Sequence, residues 1–236
     1  MRPHLRLSSL LVLAGGALLL GESAARAQQY YGPAYGPPPP PPPPEYYRPR
    51  YAAPVYYAPV GHNSLFLQLT AGVGYLTASE TVGGIGYTYS GAGFTISGAM
   101  GGAIAPNLIL YGEILGTSIV DANLSGGGTS GYSGYDMTLF GIGPGIAYYF
   151  EPVNVYLAGT LTLSKMFFSD TNTGSPENDT DWGVGAAFKA GKEWWVTPRW
   201  GLGLAALLHV ATMKDPSADN NLTALTFAVQ FSASFD

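Results

Sequence analysis

Leu222-Thr-Ala-Leu225-Thr-Phe227-Ala-Val229-Gln-Phe231-Ser-Ala233-Ser-Phe235-Asp236 is the stretch that decides the fold. Leu225, Phe227, Val229, Phe231, Ala233 and Phe235 fall on one parity, and Thr226, Ala228, Gln230, Ser232 and Ser234 on the other. A period of two is the strand period and sends the rows to opposite faces. One face is bulky and apolar; the other is small and mostly polar.

The same pattern recurs upstream from residue 64. Strands are expected over about 64–77, 89–105, 108–120, 135–150, 154–168, 181–196 and 199–213, with 222–236 as the eighth. In the first, Leu65, Leu67, Leu69 and Val73 oppose Phe66, Gln68, Thr70 and Gly72. In the seventh, Trp200, Leu202, Leu204 and Leu208 oppose Gly201, Gly203, Ala205 and His209. The connections alternate in character. Those at 105–107, 151–154 and 197–199 are short, with Pro and Asn turn chemistry. Those near 78–88, 121–134, 169–180 and 214–221 are longer and polar.

A soluble barrel hides its bulky residues and shows polar ones. Here the small row suits the inside of a narrow barrel, which leaves the bulky row outside, where only lipid tolerates it. The expectation is an all-β, eight-stranded, antiparallel up-and-down transmembrane barrel over 62–236. Aromatic residues at strand ends (Tyr148, Tyr149, Phe150, Tyr156, Trp194, Trp195, Trp200, Phe235) are expected at the membrane interface.

The remainder of the chain agrees with that compartment. Arg2, His4 and Arg6, the apolar run from Leu10 to Leu20 and the small-x-small site Ala25-Arg26-Ala27 make 1–27 a secretory signal peptide. No later stretch has the roughly twenty apolar residues of a spanning helix. Residues 28–61 form a Pro/Tyr-rich linker around the unbroken Pro37–Pro44, a disordered segment apart from its polyproline rod. It is expected in the periplasm, as a tether or a contact for the cell wall or a periplasmic protein. The chain has no cysteine, hence no disulfide framework. Charged residues make up 11% of it, well under the roughly 25% of soluble domains. The formal charge is −5, and cleavage after residue 27 removes Arg2, Arg6, Arg26 and Glu22, making it more negative. Nucleic acid is therefore not an expected partner.

Residues 62–236 resemble the family of small eight-stranded outer-membrane β-barrels, the OmpA-transmembrane-domain and OmpX-like proteins. The resemblance rests on the strand pattern, the alternation of turn and loop lengths and the aromatic end of the last strand. It implies a bacterial outer-membrane location with both ends of the barrel periplasmic. It also implies membrane lipid and lipopolysaccharide as surroundings, and recognition of the terminal strand by the barrel-insertion machinery. Family members commonly end on the aromatic itself; here Asp236 follows Phe235.

Strand parity puts five ionisable residues inward: Glu113, Lys189, Glu193, Arg199 and His209. They form a candidate lumen charge network. Opposite charges pairing to plug a tight interior is the favoured reading, and a proton or ion path is the alternative. No catalytic, cofactor or metal residues are expected. His209 has only Leu207 and Ala211 as same-face neighbours on its strand, and Gly141-Ile-Gly143-Pro-Gly145 lies within a strand and lacks the helix a nucleotide loop requires. Asp170-Thr-Asn172-Thr-Gly174 opens like a calcium loop, but Asp181 stands where the closing glutamate belongs, so a solvated acidic loop is expected. The functional expectation is a structural, envelope-integrity or surface-interaction role. A narrow pore is the alternative, and a lipid A-modifying enzyme is less favoured.

Overall fold

The computed structural model describes residues 65–177, 179–216 and 220–235. The expected signal peptide and Pro/Tyr-rich linker lie outside the described residues. Ten strands follow in order: β1 (Leu65–Val82), β2 (Ile85–Ala105), β3 (Leu108–Ile119), β4 (Asn123–Gly126), β5 (Thr129–Tyr132), β6 (Tyr135–Phe150), β7 (Val155–Asp170), β8 (Gly183–Trp195), β9 (Trp200–Asp215) and β10 (Asn220–Phe235). Eight of them close a ring in the order β1-β2-β3-β6-β7-β8-β9-β10, with β10 pairing back onto β1. Every pairing in the ring is antiparallel. The closing ladder runs from Leu67 opposite Phe235 to Ser79 opposite Thr223. Closure removes the unpaired edges that an open sheet would present.

The alternation sorts faces as expected. On β10 the inward row Thr226, Ala228, Gln230, Ser232 and Ser234 is buried, while Leu225, Phe227, Val229 and Phe231 are exposed, Phe231 by 75%. Val73 and Leu161 are likewise about as bare, at 71% and 70%. A wall this greasy is the inverse of a water-soluble protein.

The loop end departs from expectation. The segment 78–88, expected as a loop, is a hairpin: β1 runs to Val82 and β2 starts at Ile85. Gly83 and Gly84 turn it in two residues, at φ of 59° and 83°. Two consecutive left-handed residues define the turn whose twist matches a hairpin, and glycine takes that conformation without strain. Polarity suggested a loop, but the strand continues above the apolar belt, where polar cross-strand pairs replace greasy ones. Tyr75 donates to Ser90 at 3.1 Å, and the Ser79 and Thr88 hydroxyls meet at 3.1 Å. The segment 121–134 holds a second hairpin, β4–β5, whose first strand pairs with β2. At the other end, Tyr149 and Tyr156 are not interface residues. Period two turns both inward between the outward Tyr148, Phe150, Val155 and Leu157. They are 0% and 1% exposed, with ring centroids 5.1 Å apart. Trp200 and Phe235 do meet on the outside, edge to face at 5.3 Å.

Candidate functional site in the barrel lumen

The interior is stacked in tiers. At the turn end Phe66, Ile109, Tyr111, Tyr149 and Tyr156 form an aromatic tier. At the loop end Leu76, Ile119, Met137, Leu139, Met166, Met213 and Leu222 form an aliphatic one. Between them lie Glu113, Lys189 and His209, with a thinner apolar layer of Leu115, Ala187, Leu207 and Ala228, while Glu193 sits at the turn end beside Tyr156.

Four of the five expected lumen residues are there. Glu113, Lys189, Glu193 and His209 are 2%, 5%, 1% and 1% exposed. They do not form one cluster; three centres result. In the first, Lys189 Nζ is ion-paired with Glu113 Oε1. The second carboxylate oxygen of Glu113 accepts from Thr160 Oγ1 at 2.6 Å, and the Thr160 and Tyr111 hydroxyls are 3.0 Å apart. Lys189 also donates to Ser97 Oγ at 2.6 Å, and Ser97 is 2.8 Å from Thr70 Oγ1. Five strands therefore contribute to one chain of bonds. A carboxylate or ammonium buried alone costs several kcal/mol; pairing and hydrogen bonding offset that. In the second centre, Glu193 accepts from Gln68 Nε2 at 3.0 Å and from Ser234 Oγ at 2.7 Å. In the third, His209 Nε2 lies 3.2 Å from Thr162 Oγ1 and 3.4 Å from Ser164 Oγ.

Arg199 is the correction. It is exposed, in the turn before β9 begins at Trp200. Trp200 N donates to Thr197 Oγ1 at 3.0 Å and Val196 N to Trp200 O at 2.9 Å, which closes the turn across Arg199. Inward parity holds only while the strand lasts, and the strand begins one residue later than expected.

The residues that sequence reasoning passed over are the hydroxyl and amide partners: Gln68, Thr70, Ser97, Tyr111, Thr160, Thr162, Ser164 and Ser234. All lie on inward rows. Their roles depend on which strands face each other across the lumen, which parity within one strand does not reveal. The Ser164–His209 contact has the elements of an activated nucleophile. Ser164 is 0% exposed and His209 1%, so neither faces solvent.

The acidic loop after β7 is self-satisfied. Asp170 Oδ1 accepts from Asn172 N at 3.0 Å, Thr173 N at 2.7 Å and Thr173 Oγ1 at 2.9 Å. The Thr173 bonds, with that from Asn172, hold the carboxyl below its usual range. Asp170 Oδ1 is committed to a local turn. Among the described residues no group of three or more His, Cys, Asp or Glu side chains could hold a metal. On the loop-end rim, above the belt, burial and the nearby Asp215 push the Glu80 carboxyl up.

A closed ring of eight antiparallel strands with an apolar exterior and a polar, filled interior defines the class: this is the fold of the small eight-stranded outer-membrane β-barrels. One solved structure agrees in fold. Neisserial surface protein A (NspA) is 18% identical and superposes with a TM-score of 0.50, covering 72% of this chain and 96% of its own. Ail, the attachment invasion locus protein of Yersinia pestis, solved in complex with the heparin analogue sucrose octasulfate, is 16% identical over 73% of this chain and 99% of its own, with a TM-score of 0.41. No protein-family model and no curated protein matches the sequence.

Proposed function

We propose that this chain is a bacterial outer-membrane protein whose barrel is a sealed anchor, with a structural or surface-interaction role carried by its loop end. The observation behind this is the filled lumen. Two apolar tiers bracket the Glu113–Lys189 pair and His209, Glu193 is bonded to protein at the turn end, and eight strands leave an interior only wide enough for side chains. Leu67 and Phe235 are register partners, so both ends of the barrel emerge beside the short turns. That side is the periplasm in this reading, and the β1–β2 and β4–β5 hairpins and the loop after β7 face outward. Lipopolysaccharide and phospholipid are the partners of the apolar wall. Planar-bilayer recording of the purified protein tests the reading. The expected result is no steady conductance at low protein concentration. Steady open channels would overturn it in favour of a narrow pore. Unaltered lipid A after incubation with the protein, read by mass spectrometry, is the outcome expected of a non-enzyme.

A further inference from the structure

Two open grooves mark the apolar wall, and one of them leads to a positive charge. It lies over β7, β8 and β9. Ala190 and Ala206 are ladder partners, and Leu157 is the partner of Ala190 on its other side. Beside longer neighbours these two alanines carry a methyl each, which leaves a groove of about 320 Å³. Phe188, Leu208 and Phe227, successive register partners, border it toward the loop end.

Toward the turn end, the next outward residue on β8 is Lys192. Its ladder partners are Leu204 and Val155, the first residue of β7. Its Nζ donates to the Val153 carbonyl and lies 5.6 Å from the centroid of the exposed Trp194 ring. An ammonium has three donors, and a neutral carbonyl occupies one of them without cancelling the charge. Arg199, exposed in the turn after β8, is a second cation at this end. Glu151 is the carboxylate of the neighbouring turn, and among the described residues it forms no ion pair with either cation.

A cation on a lipid-facing wall is costly at the bilayer centre and tolerated near the headgroups. Lys192 therefore marks the headgroup level, and the groove runs from it into the hydrocarbon. Phosphate first and acyl chain second is the order of a phospholipid. Lipid tails are as apolar as the wall, so the hydrophobic effect does not hold a chain here. The groove supplies close packing, and the cations select the headgroup. The second groove lacks that selection. It is larger, about 560 Å³, and lined by Gly98 and Gly112. Among the described residues its one charged lining residue is Glu113, whose carboxylate turns inward to Lys189.

We propose that β7, β8 and β9 bind one anionic glycerophospholipid of the periplasmic leaflet, with its phosphate at Lys192 and Arg199 and one acyl chain in the Ala190–Ala206 groove. This rests on the orientation proposed above, with the short turns periplasmic.

Native mass spectrometry of the purified protein tests it, from micelles doped with phosphatidylglycerol, phosphatidylcholine of the same chains, or lipid A. One phosphatidylglycerol should stay bound at a collision energy that strips phosphatidylcholine. Lys192→Gln and Arg199→Gln should each weaken that retention about fivefold. Ala206→Leu fills the groove, keeps both cations and should lower retention too. Gly112→Leu, where a Cβ meets nothing within 4 Å, fills the other groove and should change nothing. Faster migration of the unboiled barrel on a gel reports that each variant is folded. Equal retention of the two phospholipids by the unmutated protein overturns the proposal without recourse to a variant. So does unchanged retention in Lys192→Gln or in Ala206→Leu. Preference for lipid A would assign the site to the outer leaflet and overturn both the proposal and the orientation. Conductance is independent of this site: steady channels would remove the sealed anchor and leave the lipid preference standing.

Discussion

At the scale of single residues, the lumen rests on Lys189 and on glycines that have no alternative. Lys189→Met leaves Glu113 buried without its cation. Removing one member of a buried pair costs about 3–5 kcal/mol, so unfolding by urea in lipid vesicles should show a loss of that order. The double variant Glu113→Leu/Lys189→Met should recover most of it, because two apolar residues of similar volume need no partner. The glycines separate by face. A Cβ on inward Gly145 would lie 2.4 Å from the Tyr111 ring and 2.6 Å from Thr160 Oγ1, whereas one on outward Gly112 would meet nothing within 4 Å. Gly145→Ala should therefore destabilise by about 1–3 kcal/mol. Gly112→Ala should be neutral or stabilising by about 0.5–1 kcal/mol, since glycine weakens a strand by that much relative to alanine. Equal effects at the two positions in the same unfolding assay would contradict this account of the wall.

At the scale of elements, the rims of β1 and β9 carry a pH dependence with a definite sign. The Glu80 carboxyl is raised by burial and by Asp215. A carboxyl whose folded pKa exceeds its unfolded value takes up its proton first in the folded state. Stability therefore rises as pH falls through the raised value toward the ordinary carboxylate range, and levels off below it. Melting temperature should increase over that interval in the unmutated protein, and Glu80→Gln should remove the increment. Parity made the bodies of these strands readable: the inward and outward rows of β10 needed only alternation. Their ends were not, because polar composition cannot distinguish a loop from a strand that has risen above the lipid. Hence β1 runs five residues past its expected end, and Arg199, expected as the first residue of its strand, lies one residue before Trp200 begins it. The charges of the lumen were legible as inward, but their partners were not. Thr160 reaches Glu113 from another strand, 47 residues away in sequence, and nothing in either strand's own pattern records it.

At the scale of the whole molecule, the apolar wall ends on the turn side in aromatic residues. Trp194 and Trp200 are 51% and 38% exposed there. Trp182 is 56% exposed near the start of β8, at the loop end. All three should sit near the edges of the hydrocarbon, where indole is favoured. In vesicles of brominated lipid, bromine close to the headgroup should therefore quench tryptophan fluorescence more than bromine at the chain end. Stronger quenching from the chain end would place the wall too deep and contradict the turn-end girdle. The whole barrel should also migrate faster on a gel before boiling than after, as a closed sheet resists detergent until heated.

The ladder between β1 and β10 has a bearing on biogenesis. Leu67 finds its partner in Phe235, and Gln68 reaches Glu193, 125 residues further along. Among the described strands the first, β1, cannot be completed until the last has been made, and until then the sheet keeps two open borders. Such long-range closure is slow compared with local hairpin formation. The nascent chain is therefore at its most vulnerable, with two sticky borders and a greasy flank, during its passage between synthesis and insertion. A chain cut short by even the final strand would stay in that condition, a substrate for chaperones and proteases rather than a smaller barrel.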